Sequence, residues 1–414
     1  MSETSKTCFR YFSAALICLL VASCARNQRP LDIPPAPVTP KAVETKDIAK
    51  PPAPSAEEMA RQRARKLADQ EAAERACARV TIAAVGDIML GTDFPTNRLP
   101  PNDAKDLLAD VTPVLKDADI AFGNLEGVLM DGGTPVKRCK DPSACYLFRS
   151  PARYALTLAE AGFTVVSLAN NHARDFGEAG RSASMDALDS AGIRHSGRMG
   201  DMATWPNGQI TTALIAFAPF TNSNPMLDMA TAKLEVQTLA ANYDVVIVSF
   251  HGGAEGIDAA RIPFATETYY GENRGNVVDF SRTLIDAGAD LVIGHGPHVP
   301  RAMEIYKERL IAYSLGNFAT YYGISITGDK GLAPILLATI DGNGQFINGE
   351  IVSAIQKRPN GPVIDSEHRA YERTWELTEQ DMAGGGIEFQ NGGSFFPLEK
   401  TSDACPGPSE NSNP

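Results

Sequence analysis

A repeated pattern that begins near residue 80 constrains the fold of this chain more than any other feature. Short apolar segments alternate with stretches that show helical spacing and end in glycine. Strands separated by helices usually form a parallel sheet, so this pattern predicts an α/β protein. The predicted strands are residues 80–86, 119–123, 164–169, 212–218, 244–250, 290–294 and 309–315, and the clearest helices are 154–162, 182–192 and 277–288.

The C-terminal part of the chain changes in composition near residue 357. Before that point, residues 333–341 and 344–355 are predicted to form two more strands, joined by a turn around Gly342-Asn343-Gly344. Beyond it, proline, glycine and serine become frequent. We therefore expect residues 79–357 to form one domain and residues 358–414 to form a loosely packed appendage.

The N-terminus carries the features of an exported protein. Lys6 and Arg10 precede an apolar run over 12–21 that is too short to span a bilayer, which is typical of a secretory signal peptide, here residues 1–23. Small residues then precede Cys24 in a pattern that resembles the bacterial lipobox. We expect Cys24 to be lipidated and to anchor an exported lipoprotein to an envelope membrane, at the periplasmic face or the outer membrane. An ordinary signal peptide with an incidental cysteine is the alternative.

Two segments separate this predicted anchor from the globular body. Residues 24–54 are rich in proline and poor in large apolar side chains, so they are predicted to form an extended tether. Residues 55–78 lack proline and glycine and are rich in alanine, glutamate, arginine and lysine, which predicts a solvated helix with ion pairs between residues four apart.

Four cysteines follow the predicted anchor, and export would place them in an oxidising compartment. They allow two disulfides with three connectivities. Cys139 and Cys145 bracket a short polar loop and are the preferred pair, whereas Cys77 and Cys405 flank the body and would join its two ends. Free thiols are the alternative, and no cysteine has a spacing typical of zinc sites.

Composition and missing motifs exclude several functions. A net charge of −12 without a block of lysine and arginine argues against a nucleic-acid partner. No Gly-x-Gly-x-x-Gly follows the first strand, and the chain contains neither a P-loop nor a Gly-x-Ser-x-Gly motif. Dinucleotide binding, P-loop nucleotide binding and a serine-hydrolase elbow are therefore unsupported.

Residues of metal-binding type follow five of the predicted strands, and they include four of the six histidines. Side chains at the carboxyl ends of parallel strands converge on one edge of a sheet. Oxygen and imidazole ligands gathered there suit one or two divalent ions such as Mn, Fe or Zn, and a bridging carboxylate would hold two ions about 3.5–4 Å apart. The residues are Asp87, Glu126, Asn171, His172, His251, His295 and His298.

The motifs around these residues resemble, in order, those of the bacterial CapA family of capsule and poly-γ-glutamate synthesis, which is related to calcineurin-like metallophosphatases. They are GD-x-M, GNLE, ANNH-x-x-D-x-G, FHGG, GHGPH and YSLGNF, and they run from about residue 80 to residue 322. The resemblance implies a four-layer α/β/β/α sandwich of the metallophosphatase type and a part in making or exporting a surface polymer.

The resemblance also implies a role for each residue at the strand ends. His172 and Asp175 are similar to the His–Asp pair with which nucleotidase relatives protonate or stabilise the leaving oxygen, and are predicted to be catalytic. The implied ligands are Asp87 and His298 for the first metal, Glu126 as the bridge, and Asn171, His251 and His295 for the second.

The sequence departs from the phosphatase pattern at the first strand. Met89 stands where an imidazole ligand is expected, so the first metal position should be weaker, with Met89 packed in the core. Asn124 and Asn317 are candidate substrate-binding residues, although Asn124 also suits a turn cap and Asn317 a loop-shaping role. A capping role for Asp87 and a core role for His251 remain open.

Two functional hypotheses follow. The first is a metal-dependent phosphoesterase that acts on a phosphorylated substrate. The second is a non-catalytic envelope protein that binds an anionic polymer or a membrane synthase through the same cleft. Both place the chain at a membrane through its lipid anchor, with a capsule or polymer synthase complex as a candidate partner.

Overall fold

The computed structural model describes residues 55–137, 146–208 and 210–399. The α-helices in this part of the chain are α1 Ala56–Cys77, α2 Thr112–Lys116, α3 Tyr154–Ala161, α4 Gly177–Ser190, α5 Met229–Ala240, α6 Val277–Asp286 and α7 Arg369–Met382. The strands are β1 Arg79–Met89, β2 Ile120–Leu125, β3 Val128–Leu129, β4 Arg149–Ser150, β5 Val165–Ser167, β6 Arg194–Ser196, β7 Ala203–Asn207, β8 Ile210–Ala218, β9 Asn224–Pro225, β10 Val245–His251, β11 Glu267–Tyr269, β12 Glu272–Gly275, β13 Leu291–His295, β14 Met303–Tyr306, β15 Arg309–Ala312, β16 Asn317–Thr320, β17 Ile335–Asp341, β18 Phe346–Val352, β19 Ala354–Lys357, β20 Gly361–Ile364, β21 Ile387–Phe389 and β22 Ser394–Pro397.

Most of these strands belong to two large sheets. The first has the order β21-β22-β18-β17-β1-β2-β5-β6, with β16 also paired to β1. The second has the order β14-β15-β13-β10-β8-β7, with β9 paired to β8. In the first sheet β1, β2, β5 and β6 are parallel, and in the second β8, β10, β13 and β15 are parallel. The carboxyl ends of the parallel strands therefore share one edge within each sheet.

The residues of β1 alternate between two hydrophobic cores, as expected for a strand that is buried on both faces. Ile82 and Ala84 belong to the core between the two sheets, which also contains Ile247 of β10. Ala83 and Val85 belong to a second core, which also contains apolar residues of α2, α3 and α4. These helices therefore cover the outer face of the first sheet.

The second sheet is covered in the same way. Val246 and Val248 of β10 belong to a third core, together with Val236 of α5 and Leu284 of α6. The two sheets thus face each other, and helices cover the outer face of each. The predicted α/β fold, a four-layer α/β/β/α sandwich, is confirmed.

The helix α1 precedes the first sheet and is exposed along most of its length. Its Arg61 and Glu57 form an exposed ion pair at 2.7 Å, four residues apart. Cys77 at its end is disulfide-bonded and is the one cysteine in the part of the chain that the structure describes. Within that part, no helix has the length and apolar character needed to cross a membrane.

Several sequence predictions concern residues outside the described ranges. They are the signal peptide over 1–23, the tether over 24–54 with lipidated Cys24, and the Cys139–Cys145 disulfide. These remain predictions.

The C-terminal segment is not the loosely packed appendage that its composition predicted. Strand β20 pairs with β19, and β22 pairs with β18 and so extends the first sheet. Tyr371 and Leu377 of α7 are buried, and the ring of Phe395 stacks on Phe346 with centroids 5.5 Å apart. The prediction was wrong here because the glycines and prolines lie in turns between elements, whereas the elements keep apolar residues at regular spacing.

This packing predicts that the C-terminal segment contributes to stability. The Phe395 side chain is fully buried, so Phe395→Ala should lower the free energy of unfolding by about 3–5 kcal/mol, measured by urea denaturation. Leu398, three residues later, is 63% exposed, and Leu398→Ala should change it by less than about 0.5 kcal/mol. Equal stabilities for the two variants would show that the segment is an appendage after all.

Candidate metal centre

Strand pairing brings together the sequence-distant residues of the predicted site. Asp87 at the end of β1 pairs with Asn124 of β2 on one side and with Asn317 of β16 on the other. In the second sheet, His251 at the end of β10 pairs with His295 at the end of β13. A Cβ at Gly86 would lie 2.0 Å from the Gly316 carbonyl oxygen, so only glycine permits this approach of β1 to the β16 segment.

Asp87, Glu126 and His298, which we call the Asp–Glu–His cluster, offer ligand atoms that all lie within 4.8 Å of one another. His298 Nδ1 lies 3.0 Å from Asp87 Oδ2, and His298 Nε2 lies 3.7 Å from Glu126 Oε1. Both carboxylates are buried. Asp87 lies in β1, whereas Glu126 and His298 lie in loops that follow β2 and β13. Two carboxylates and an imidazole form a donor set suited to a divalent cation.

Buried polar atoms around the cluster lack partners, which is a second indication of a cation site. Among the described residues, Glu126 Oε1 and Oε2, Asn171 Oδ1 and His251 Nε2 are buried without a hydrogen-bond partner. A buried polar atom left unpaired costs about 1–3 kcal/mol, and an unpaired charge costs more. A bound cation would satisfy the carboxylate oxygens, so the residues present fit the ion that the sequence implies.

The electrostatics of the cluster show where positive charge is needed. Burial raises the pKa of Glu126 to about 8, and the negative charge of Asp87 adds to this while His298 opposes it. Burial also acts to raise the pKa of Asp87, but the hydrogen bond and charge of His298 outweigh it and lower that pKa to about 2. Despite its burial, the neighbouring carboxylates raise the pKa of His298 to about 10. Of these two carboxylates, Glu126 is therefore the one whose charged form the protein alone stabilises less.

Asn124 lies beneath the cluster rather than at its surface. Its Nδ2 donates to Asp87 Oδ1 at 2.8 Å, and its Oδ1 accepts from Asn170 Nδ2 at 3.0 Å. Asn170 Oδ1 in turn accepts from the His172 backbone N–H at 3.0 Å. Asn124 is fully buried, so this geometry fits a positioning role better than the predicted substrate contact. Asn170 was missed, although it stands next to Asn171 in the same motif.

Asn317 holds His298 in place. Its Oδ1 accepts from His298 Nδ1 at 2.9 Å, and its Nδ2 donates to the carbonyls of His298 and Lys330 at 3.2 and 3.0 Å. His298 has a φ of 60°, a conformation that needs such support in a residue other than glycine. Asn317 is also fully buried, so it too positions the site rather than facing a substrate.

His172 and Asp175 form the pair that the sequence predicted. His172 Nδ1 donates to Asp175 Oδ2 at 2.7 Å, and Asp175 Oδ1 lies 3.1 Å from Lys137 Nζ. His172 Nε2 lies 4.0 Å from Glu126 Oε1, so it faces the cluster. Burial, more than any charge nearby, lowers the pKa of His172. Lys137 was missed, since a lone lysine in a loop gives no sequence signal.

The other predicted ligands differ in how close the structure brings them. His251 Nδ1 lies 3.3 Å from Asn124 Nδ2, so His251 borders the cluster without belonging to it. His295 is turned away, because its Nε2 donates to the Val85 carbonyl at 3.0 Å and its Nδ1 lies 3.4 Å from Ser249 Oγ. In this arrangement His295 links β13 to β1 across the two sheets and has no nitrogen available for a metal.

Met89 is buried in the core, as expected for an apolar side chain. Its Sδ accepts a hydrogen bond from the Gly91 N–H at 3.3 Å. It therefore offers no ligand to the cluster.

Three arginines meet at one glutamate next to His172. Arg174, Arg181 and Arg198 all form ion pairs with Glu178, at 2.6, 2.5 and 3.5 Å. Arg181 is fully buried, so Arg174 and Arg198 are the positive charges of this group that lie at the surface, on a chain whose net charge is −12. Such a surface attracts anions.

The family model for the bacterial capsule synthesis protein PGA_cap matches residues 81–322, more than half of the chain and the region that contains every predicted site residue described above. The chain belongs to this family. The chain is similar to the capsule biosynthesis protein CapA of Bacillus anthracis, at 28% identity over 319 residues that cover 74% of each chain. It is also similar to the PGA biosynthesis protein CapA of Bacillus subtilis strain 168, at 26% identity over 63% of this chain and 68% of the relative. Among solved structures, the chain is similar to the calcineurin-like phosphoesterase YfkN from Bacillus subtilis. The match covers 73% of this chain and 98% of YfkN, with 13% identity and a TM-score of 0.40.

Proposed function

We propose that this chain is a lipid-anchored envelope protein of capsule or poly-γ-glutamate synthesis or export, with a phosphoesterase-like site that uses one or two divalent ions. Family membership supports the link to a surface polymer. The observation that carries the metal site is Glu126, whose two buried oxygens have no hydrogen-bond partner among the described residues.

The residues of the Asp–Glu–His cluster would hold the first ion. Asn171 Oδ1 and His251 Nε2 are buried and unpartnered, so they are the candidates for a second ion, which would share Glu126. A divalent ion at such a site lowers the pKa of bound water and polarises a phosphoryl oxygen. We leave His295 out of the ligand set because both of its nitrogens have other partners.

The His172–Asp175 pair would handle the proton of the reaction. Asp175 fixes the hydrogen on His172 Nδ1, which leaves Nε2 as the atom that faces the cluster. Lys137 holds the other oxygen of Asp175 and so keeps the carboxylate oriented. In this arrangement a proton on His172 Nε2 would pass to the leaving oxygen of a phosphate ester. The arginines around Glu178 would attract the anionic substrate.

Metal removal tests this proposal. We expect the purified protein to contain a divalent ion, Mn, Fe or Zn, and to hydrolyse p-nitrophenyl phosphate or its bis ester. A chelator should abolish turnover and lower Tm, because a ligand present at about 100 times its Kd stabilises the folded state by about 2.7 kcal/mol. Metal analysis, turnover and thermal melts before and after chelation measure this.

The alternative function is tested by the same protein. If it contains no metal, hydrolyses neither ester and yet binds poly-γ-glutamate or a polymer synthase, it is a non-catalytic binding protein. Binding to the polymer that is lost when Arg174 and Arg198 are replaced by glutamine would assign that role to the arginine surface.

A further inference from the structure

The first metal position has one ligand fewer than the phosphatase pattern, because Met89 stands in place of an imidazole and is buried in the core. We propose that Glu255 supplies the missing ligand and joins the Asp–Glu–His cluster to form a centre of three carboxylates and one imidazole. This inference rests on the proposed function, in which the cluster binds a divalent ion.

The position of Glu255 relative to His298 is the main observation. Glu255 Oε2 lies 3.7 Å from His298 Nε2, and Glu126 Oε1 lies 3.7 Å from the same nitrogen. These gaps are too long for hydrogen bonds. Two donors that share an ion through bonds of about 2.0–2.2 Å lie about 3.0–3.5 Å apart. Glu255 lies outside the group whose ligand atoms are all within 4.8 Å of one another, so it would have to move toward Asp87 and Glu126 to share their ion.

The other oxygen of Glu255 shows that its orientation is fixed. Glu255 Oε1 accepts from Arg274 Nη1 at 2.9 Å, while Arg274 Nη2 donates to Glu272 Oε2 at 3.0 Å. Glu272 already balances the charge of Arg274, so Glu255 is not needed for that purpose. Arg274 instead holds one oxygen of Glu255 and leaves the second directed at His298.

The loop that carries Glu255 is attached to the loop that carries His298. The Gly252 N–H donates to the His295 carbonyl at 2.9 Å, and the Gly256 N–H donates to the Pro297 carbonyl at 3.0 Å. These two bonds enclose Glu255 on both sides. Side chains that bind metal need such a rigid support.

A buried ion pair reinforces this loop from below. Arg301 and Glu267 are both buried and form a two-bond pair at 2.9 and 2.7 Å. Glu267 Oε2 also accepts from the Ala254 N–H at 3.0 Å, next to Glu255. The position of Glu255 is therefore set by the fold rather than by chance on a surface loop.

The composition of this centre sets its metal preference. Carboxylate oxygens are hard ligands, which suit Mn²⁺ better than thiolate- or imidazole-rich sites do, whereas Zn²⁺ favours imidazole. A centre with three carboxylates and one imidazole should therefore favour Mn²⁺ more than an imidazole-rich centre would. Replacing Glu255 should reduce this preference for Mn²⁺.

Metal titration of the full chain tests the inference directly. Chelator-treated protein is titrated with MnCl₂ and with ZnCl₂ by calorimetry. Glu255→Gln is expected to weaken Mn²⁺ binding about 10- to 100-fold. Glu272→Gln removes the other carboxylate on Arg274 and is expected to keep affinity within about twofold. Glu255→His is expected to raise Zn²⁺ affinity relative to Mn²⁺.

The outcomes separate this inference from the proposed function. Wild-type affinity for Mn²⁺ in Glu255→Gln, or an equal loss in Glu272→Gln, would overturn the role of Glu255. Failure of the wild-type chain to bind either metal would overturn the metal site itself. Thermal melts of the metal-free variants establish that each is folded before titration.

Discussion

Glu126→Gln is expected to weaken divalent-metal binding by about 100-fold or more and to remove metal-dependent turnover. Gln keeps the size of Glu but carries no charge, and Glu126 is the residue proposed to bridge both ions. Calorimetric titration and ester hydrolysis measure the two effects. Glu235→Gln is the matched control, because Glu235 also has a pKa raised by burial but lies on α5, away from the cluster. Unchanged metal affinity in Glu126→Gln would refute the proposed centre.

In the metal-free protein, Glu126→Gln should make the folded state less sensitive to rising pH. In the folded state the pKa of Glu126 is raised from 4.5 to about 8, chiefly by burial. The folded state then binds a proton that the unfolded state has released, so this group reduces stability as pH rises from about 4.5 to about 8. We expect Tm of the metal-free wild type to fall over this range and Tm of Glu126→Gln to fall less. Melts at a series of pH values measure this.

His172→Gln is expected to reduce turnover by about 10²- to 10⁴-fold while metal content stays unchanged. The imidazole faces the cluster at 4.0 Å from Glu126 without belonging to it. The pKa of His172 is lowered from 6.5, chiefly by burial. As pH rises, the protonated form needed to donate to a leaving group is therefore already lost below pH 6.5. Turnover by the wild type should therefore fall on the alkaline side of an acidic optimum. Steady-state kinetics across pH and metal analysis check both points.

His195→Gln is the control for His172. His195 also lies between two carboxylates, at 3.2 Å from Asp201 and 3.3 Å from Asp189, but it sits at the end of the first sheet on β6. The His195→Gln substitution should leave turnover unchanged. If His172→Gln loses metal along with turnover, His172 acts as a ligand and the proton-transfer role is wrong.

The sequence located the strand ends because each is marked by an apolar run that stops at a polar or glycine-rich motif. Parallel pairing places those ends at one edge within each sheet, and the facing of the two sheets brings His298 to Asp87 and Glu126. It could not separate His295 from His298, since both follow the same strand. Which histidine faces the cluster depends on the path of the backbone, and here His295 bonds to the Val85 carbonyl instead.

Apart from Asn170, the residues that were missed belong to no motif. Lys137 and Glu255 are single charged residues in loops, and charged loop residues are usually solvated. Their roles follow from what folds beside them, namely Asp175 and Arg274. The prediction for the C-terminal segment failed for a related reason, because composition averages turns and strands together. Phe395 is buried although two glycines shortly precede it in the sequence.

The pairing of β1 has a consequence for how the nascent chain acquires its structure. Arg79 pairs with Asp341, and Asp87 pairs with Asn317, so the centre of the first sheet joins segments that lie more than 200 residues apart in the sequence. Contacts between such distant segments form slowly, because a long loop must close before they do. Until β17 has been synthesised, the apolar strand β1 lacks one of its neighbours and is prone to aggregate. A cell that makes this protein would need to shield that strand until synthesis is nearly complete.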